Sequence, residues 1–363
     1  MIDTVILIVP DYKYHITKPS LFSPNANKLK EFGFIAVTFK NNYKTDEKYF
    51  PRLSITPRSR GAGLGVIHDL KIEFSVTKLI YGNNLQELTI FDETFVYPAL
   101  KERLNEMGID LFCEPSDLEV SGFDVSKNIT LKKGYFSYQI IKEFSKCDID
   151  KRLDLDDKDY KEGGSTLQFY TKNYAFVIYD KLADLTKSKN RSIDKDRNDL
   201  QKDLFYNYDK QEIIRFEARI RNKTKLKQVL KALDMKYEVK YFKDLFNEQL
   251  WKQILNFFWK GLIYNKNRFI FNMVTDDSYI LDRILKAYPE IGYFKAIRLV
   301  GAYHTAKQKG LPLLRQYYEK DMKGKQWSKV RAELECLNEI TQKVDCFGWF
   351  QDIDKVLSFD KCN

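Results

Sequence analysis

The sequence predicts an α+β fold in which an antiparallel β-sheet is followed by a helical region. Apolar and polar residues alternate with a period of two in the segments 70–76 and 213–220, as in half-buried strands. Apolar residues recur with helical spacing from about residue 240 onward. The 363 residues are enough for two domains. We place a sheet with helices on one face at 1–235 and a set of helices at 236–363.

The N-terminal third has the composition of β-strands separated by turns. Four strands are predicted at 4–9, 32–40, 49–55 and 70–76. The connection 58–65 is basic and rich in glycine, which suits a phosphate-binding loop. No strand–loop–helix context surrounds it, so we favour a flexible hairpin loop.

The middle of the chain alternates between helices and strands. A helix is predicted to begin near Asp92, to be broken or kinked at Pro98 and to end at Gly108. The strand 120–129 carries Asp124 at its centre, where aspartate is unusual, so this acid is a metal ligand, part of a bulge or on an exposed face. A short helix at 138–145 precedes an acidic segment, 147–164, which we interpret as an exposed loop.

Two further strands, 165–170 and 175–180, are spaced as a hairpin. The segment 182–210 carries many charges of both signs and is predicted to be a solvated helix or a mobile excursion. The strand 213–220 follows, and Arg215, Glu217 and Arg219 share one of its faces.

A basic amphipathic helix is predicted directly after that strand. Its apolar residues are Leu226, Val229, Leu230 and Leu233, and the run contains Arg219, Arg221, Lys223, Lys225, Lys227 and Lys231. Contact with nucleic-acid phosphates and a plain solvated face are equally compatible with this pattern.

The C-terminal region is predicted to consist of helices at 245–264, 279–288, 292–309, 313–320 and 327–344. A basic, glycine-containing turn at 322–325 joins the last two. This unit resembles a helix-turn-helix, although most such pairs are ordinary helical hairpins.

The charge balance favours a polyanionic partner. The chain has 61 Lys and Arg against 51 Asp and Glu, a net charge of +10 and a pI near 9.0, which indicates nucleic acid first and a lysine-rich solvated surface as the alternative. The 5 cysteines include no CxxC pair, and no signal peptide or spanning segment is evident. We therefore expect a soluble, reduced, cytoplasmic protein with no membrane partner.

The 3 histidines are scattered, so any bound metal is expected to have carboxylate ligands, as Mg²⁺ or Mn²⁺ prefers. Glu73, Asp124 and Glu217 each lie on a predicted strand and are the candidate ligands. Tyr179 ends a β-type run and is the candidate nucleophile for a DNA phosphodiester, with Lys181 to lower its pKa or hold the phosphate. On pattern alone, a half-buried packing tyrosine and a surface ion-pair row explain the same residues.

At these positions the sequence resembles the replication initiators of filamentous phages, the gene II protein family of rolling-circle nickases. The similar segments are 1–10, 70–84 (with Lys78), 121–126, 177–181 and 214–220, in the family's order. The similarity extends from residue 1 to about 230, and the helical tail is similar only in character.

The resemblance implies a Rep- or relaxase-like nickase domain. Such an enzyme nicks one strand of double-stranded origin DNA, stays attached to single-stranded DNA through tyrosine and later recircularises the displaced strand. By position, Tyr179 would be the nucleophile and Glu73, Asp124 and Glu217 the metal-site residues. The predicted DNA contacts are Lys78, Arg215, Arg219, Arg221 and Lys223. A host helicase is a further implied partner. Rolling-circle initiators more broadly carry a His-hydrophobic-His metal motif, which is absent from this sequence.

Three alternatives remain at this point. A plasmid initiator or conjugative relaxase would use the same chemistry in another replicon. A DNA-binding regulator would keep the fold without catalysis, and a basic structural protein would need neither. The sequence does not decide the origin recognised, the metal or the oligomeric state.

Overall fold

A computed structural model describes residues 1–30, 37–45, 47–59, 65–148, 154–157, 165–171, 173–186, 212–234, 238–321, 325–341 and 344–359. Within these residues the main feature is a ten-stranded sheet whose neighbouring strands are antiparallel. In spatial order the strands are β11 (Asp154–Asp157), β12 (Thr166–Tyr170), β13 (Tyr174–Asp180), β14 (Ile213–Ile220), β10 (Glu119–Thr130), β1 (Ile2–Val9), β8 (Leu70–Ser75), β5 (Arg52–Ile55), β4 (Phe39–Asn41) and β3 (Phe22–Ser23). The predicted α+β class with an antiparallel sheet is confirmed.

Two small sheets accompany the large one. One pairs β2 (Tyr14–Ile16) with β9 (Ile109–Leu111), and the other pairs β6 (Arg58–Ser59) with β7 (Val66–Ile67). The second pair flanks the glycine-rich connection and confirms a hairpin there.

The helices are α1 (Val76–Tyr81), α2 (Glu93–Glu106), α3 (Ser137–Phe144), α4 (Lys181–Thr186), α5 (Lys223–Ala232), α6 (Glu248–Trp259), α7 (Asp277–Ala287), α8 (Tyr293–Lys309), α9 (Leu311–Asp321), α10 (Lys325–Ile340) and α11 (Gly348–Ser358). The α6 helix continues into a π-helical turn, Lys260–Tyr264. In the ranges that the structure describes, no helix is long and apolar enough to cross a membrane.

The two faces of the sheet differ in polarity because side chains alternate along each strand. In β8 the buried apolar side chains are Leu70, Ile72 and Phe74, and the charged side chains of the other face are Lys71 and Glu73. The strand register carries this division across the sheet, since Ile6 of β1 is paired with both Glu73 of β8 and Gly122 of β10. We call the face that contains Glu73 the polar face.

Helices α3 and α6 pack against the apolar face of the sheet. Phe144 of α3 is central to this core. Its ring lies edge-on at centroid distances of 6.0 Å from Phe216, 5.8 Å from Trp259 and 5.3 Å from Trp349. Phe216 belongs to the sheet and the two tryptophans to the helical region, so one hydrophobic core spans the predicted boundary at residue 235. Whether the two parts are separate domains stays a prediction.

The structure departs from the sequence prediction at three places. Asp154–Asp157, expected in an exposed loop, forms the edge strand β11 because its backbone pairs with β12, which requires no local alternation. Helix α2 runs through Pro98 without a break, so the break is excluded and the kink stays a prediction. Helix α11 lies beyond the last predicted helix.

Several predicted features lie outside the described residues. They are the segment 31–36 of the second predicted strand, residues 60–64 of the glycine-rich connection, most of the acidic segment, residues 187–211 of the charged segment and the turn 322–324. The helix-turn-helix prediction therefore stays untested at its turn.

Candidate active site

The polar face of the sheet carries an open cleft with a volume of about 300 Å³, which we call the polar cleft. Its floor follows from the register, which pairs Tyr179 of β13 with Arg215 of β14 and Ser126 of β10 with Glu217 of β14. Seven residues predicted from the sequence line it: Glu73, Lys78, Asp124, Tyr179, Glu217, Arg219 and Arg221. Residues from four separate stretches of the chain, 73–78, 124, 179 and 217–221, therefore meet at one place.

Tyr179 lies at the floor of the polar cleft with 7% of its surface exposed. Its hydroxyl donates a hydrogen bond to Glu217 Oε2 at 3.1 Å. Burial raises the pKa of Tyr179 well above its usual value, although Arg215 opposes the shift. The phenol is therefore protonated at neutral pH, and its proton already points at a carboxylate.

Glu217 is held between two arginines. Arg219 Nε donates to Glu217 Oε1 at 2.7 Å, and Arg215 Nε lies 3.8 Å from Oε2. Burial alone would raise the pKa of Glu217, but Arg219 and Arg215 outweigh it and lower the pKa to about 2. Glu217 is therefore ionised at neutral pH.

Arg215 is fully buried beneath this pair. Its guanidinium forms an ion pair with Asp3 and donates to Ser126 Oγ and to the Asn84 carbonyl oxygen, both at 2.7 Å. We therefore correct the prediction that Arg215 contacts phosphate, because its donors are directed into the protein and none of its surface is exposed. Its position supports Tyr179 and Glu217 from below.

Lys181, the first residue of α4, is also fully buried. Its Nζ donates to Asn84 Oδ1 at 2.7 Å and lies 5.7 Å from the centroid of the Tyr179 ring. Burial lowers the pKa of Lys181 to about 7, and the nearby Arg215 contributes to the shift. Lys181 therefore packs against the tyrosine ring, and its hydrogen bond goes to Asn84.

Asp124 contributes a buried carboxylate on the neighbouring strand. Arg221 Nη2 donates to Asp124 Oδ2 at 3.2 Å, but no donor among the described residues reaches Oδ1. Burial raises the pKa of Asp124 to about 8, against the effect of Arg221. Asp124 is therefore a poorly compensated carboxyl group that stays mostly protonated at neutral pH.

The three predicted metal ligands do not fit a single ion. Strands β8 and β14 are separated by β1 and β10, so the backbones of Glu73 and Glu217 are roughly 14 Å apart, whereas Mg²⁺ binds oxygen at about 2 Å. Glu73 is paired instead with Lys71 at 2.7 Å and Arg52 at 3.8 Å. In the described ranges, no group of three His, Cys, Asp or Glu side chains is arranged to hold a metal. Glu73 is therefore corrected to a neighbour of the site.

The remaining predicted DNA contacts differ in their access to the polar cleft. Arg219 and Arg221 line it, with 30% and 34% of their side chains exposed, and Lys78 of α1 lines it from a buried position. Lys223 pairs with Glu119 at 2.5 Å and is not among the lining residues. The apolar stripe of α5 is buried as predicted.

Asp3 and Asn84, which bind the two buried cations, are among the site residues that sequence reasoning missed. Asp3 had a signal, since it is the one charged residue in the largely apolar segment 2–9. Asn84 lies in a turn, where asparagine is ordinary, and nothing local indicates that it binds both Arg215 and Lys181.

No protein-family model, no curated protein and no solved structure matches this chain.

Proposed function

We propose that the protein is a DNA-nicking and strand-joining enzyme that uses Tyr179 as its nucleophile. The observation that carries this proposal is the 3.1 Å hydrogen bond from the Tyr179 hydroxyl to Glu217, at the floor of a cleft lined by arginines. An inert packing tyrosine needs only a partner for its hydroxyl. A nucleophile needs a proton acceptor and cations facing the same opening.

In the proposed reaction, Tyr179 Oη attacks the phosphorus of a DNA phosphodiester. A phosphotyrosine bond forms, the bond to the leaving oxygen breaks, and that oxygen becomes a 3′-hydroxyl. The phenol proton leaves along the hydrogen bond to Glu217, which has a pKa of about 2 and therefore passes the proton on to solvent. The leaving oxygen takes up a proton from solvent, so the step releases one proton and consumes one. The reverse reaction, in which a 3′-hydroxyl attacks the phosphotyrosine, rejoins a strand without a nucleotide cofactor because the covalent link conserves the bond.

Arg219, Arg221 and Lys78 are the proposed partners of the phosphate oxygens, since they line the opening above Tyr179. Arg215 and Lys181 position the tyrosine and Glu217 from within the protein. The Mg²⁺ or Mn²⁺ dependence implied by the resemblance belongs to the experiment below. The three-carboxylate set does not fit one ion, and no step of the proposed reaction is assigned to a metal.

The resemblance to filamentous-phage replication initiators suggests the biological role that we propose for this reaction, which is the initiation of rolling-circle replication. The substrate would be one strand of a double-stranded replication origin, and the helical region would bind DNA or a host helicase. A plasmid initiator or conjugative relaxase remains an alternative that would use the same chemistry in another replicon.

A second candidate function is a DNA-binding regulator without catalysis. The separation of Glu73 from Glu217 and the pairing of each carboxylate with a basic side chain favour it. A regulator would bind DNA through the same cations and would form no covalent link.

A covalent-adduct assay separates these candidates. The protein is incubated with a pool of labelled single-stranded DNA and Mn²⁺ or Mg²⁺, with a chelator arm, and denatured. Label is expected on the wild-type protein and not on Tyr179→Phe. Tyr170→Phe is the matched control, because Tyr170 lies on the neighbouring strand and on the same face of the sheet as Tyr179, opposite Ala175. Tyr174 lies on the opposite face, 5.6 Å from the Phe258 ring.

The outcomes are distinct. An adduct that persists in Tyr179→Phe and disappears in Tyr170→Phe would keep the activity and move the nucleophile. Binding of DNA without an adduct, on origin-containing DNA as well as on the pool, would favour the regulator.

A further inference from the structure

The wall of the polar cleft opposite Tyr179 includes an aromatic side chain that the proposed reaction does not use. Tyr49 lies just before β5 and is half-buried. Its hydroxyl accepts a hydrogen bond from the backbone N–H of Ser75 at 2.8 Å, which fixes the position of the ring. Lys78 Nζ lies 6.0 Å from the ring centroid. A fixed aromatic ring and a cation therefore share this wall.

The positions of the two tyrosines define a span. The Tyr179 hydroxyl is bonded to a side chain of β14, and the Tyr49 hydroxyl is bonded to the end of β8. These strands are three positions apart, which is roughly 14 Å. An extended strand of DNA with its reacting phosphate at Tyr179 would bring the base of a flanking nucleotide to the opposite wall.

We propose that Tyr49 stacks on a nucleobase next to the reacting phosphate and that Lys78 contacts the adjoining backbone. Most other side chains of the polar cleft are charged or hydrogen-bonding, and they suit phosphate and sugar. An aromatic ring offers a surface that any base can cover, so this contact would hold the strand without selecting its sequence. The inference rests on the proposed function for the identity of the reacting phosphate, and on the geometry of the cleft for the base.

The alternative is that Tyr49 only anchors its loop through the hydroxyl. The two roles use different parts of the side chain, so two variants separate them. Tyr49→Phe keeps the ring and removes the hydrogen bond to Ser75, and Tyr49→Leu removes both. Tyr43→Leu is the matched control, because Tyr43 belongs to the same loop region, packs on Phe50 at 5.1 Å and is not among the residues lining the polar cleft.

The experiment uses the full chain and single-stranded DNA in which thymines are replaced by 5-iodouracil. Ultraviolet irradiation is followed by digestion and mass spectrometry of the crosslinked peptides. Crosslinks are expected on Tyr49 and not on Tyr43. In parallel, the affinity for unmodified single-stranded DNA is expected to fall about tenfold in Tyr49→Leu, the effect of one base–aromatic stack, and to stay within about twofold of wild type in Tyr49→Phe and Tyr43→Leu.

Failure of this inference differs from failure of the proposed function. An adduct at Tyr179 with no crosslink at Tyr49 would overturn the stacking and leave the nickase standing. A crosslink at Tyr49 with no adduct on any DNA would support the stacking and refute the nicking. Equal losses of affinity in Tyr49→Phe and Tyr49→Leu would assign Tyr49 to loop anchoring and overturn the inference, and a thermal melt of each variant shows whether the fold is intact.

Discussion

Replacement of Arg215 by methionine tests the charged network beneath the polar cleft. Arg215 is fully buried and bonded to Asp3, Ser126 and Asn84. Methionine has a comparable length and no charge, so it leaves the Asp3 carboxylate buried without its cation and removes a positive charge 3.8 Å from Glu217. Removal of one partner from a buried ion pair costs about 3–5 kcal/mol of unfolding free energy.

The loss of stability in Arg215→Met should depend on whether Asp3 is present. Asp3→Asn alone leaves the guanidinium close to Glu217 and is expected to cost about 1–3 kcal/mol. In the double variant neither charge is left behind, so its loss should be smaller than the sum of the single losses by roughly 1–3 kcal/mol. The control is Arg58→Met, which breaks an arginine–aspartate pair of 2.7 Å with the arginine side chain 62% exposed. That change should cost less than about 1 kcal/mol.

Urea unfolding at pH 7, followed by tryptophan fluorescence, measures all four variants. The reasoning is refuted if Arg215→Met loses no more stability than Arg58→Met, or if Asp3→Asn and Arg215→Met are additive. Either result would mean that solvent reaches the guanidinium and that the network does not hold Glu217 in place.

Three further predictions follow from the described contacts. The pKa of Asp124 is about 8 in the folded protein against 3.8 for a free aspartate. The folded state therefore retains a proton that the unfolded chain loses, and stability should fall as pH rises from about 4 to 8. Asp124→Asn should abolish this slope and be more stable than wild type at pH 8.5, by up to about 5 kcal/mol in thermal melts across pH. Glu217 changes stability with pH in the opposite direction. Its pKa is lowered from 4.5 to about 2, so its ionised form stabilises the fold above pH 4.5, and this stabilisation is lost as pH falls toward 2. Glu217→Gln should cost up to about 3 kcal/mol at pH 7 and nothing near pH 2 in the same melts. Phe144→Ala should reduce the unfolding free energy by about 3–5 kcal/mol and lower the temperature of a single unfolding transition in calorimetry. Two separate transitions would contradict a continuous core.

The sheet was predictable where one face of a strand is buried. Leu70–Ser75 and Ile213–Ile220 alternate because one side of each packs on helices and the other faces the polar cleft. Asp154–Asp157 was not predictable, since an acidic edge strand is stabilised by backbone pairing with a distant segment. The number and order of the strands also depend on long-range pairing, such as that of β1 with both β8 and β10.

The candidate site was predictable as a set of residue types and not as a set of contacts. The sequence indicated that Arg215, Glu217 and Arg219 share a face, and the structure agrees. It did not indicate that Arg215 is buried while Arg219 borders the opening, because that depends on Asp3 and Asn84 arriving from other segments. The error for Glu73 has the same origin, since spacing along a chain does not determine how many strands lie between two residues.

The buried carboxyl group of Asp124 offers a test between the proposed catalysis and simple DNA binding. A DNA-binding surface needs exposed cations, and exposed charges change the folding free energy little. This protein buries Asp124 with one oxygen unpartnered, which reduces stability relative to an apolar floor. Such a loss persists where a reaction requires the groups. Asp124→Asn distinguishes the two cases: a variant that is more stable at pH 8.5, binds DNA normally and forms no adduct would show that the buried carboxyl group serves catalysis, whereas one that keeps full adduct formation would show that Asp124 is dispensable to the reaction.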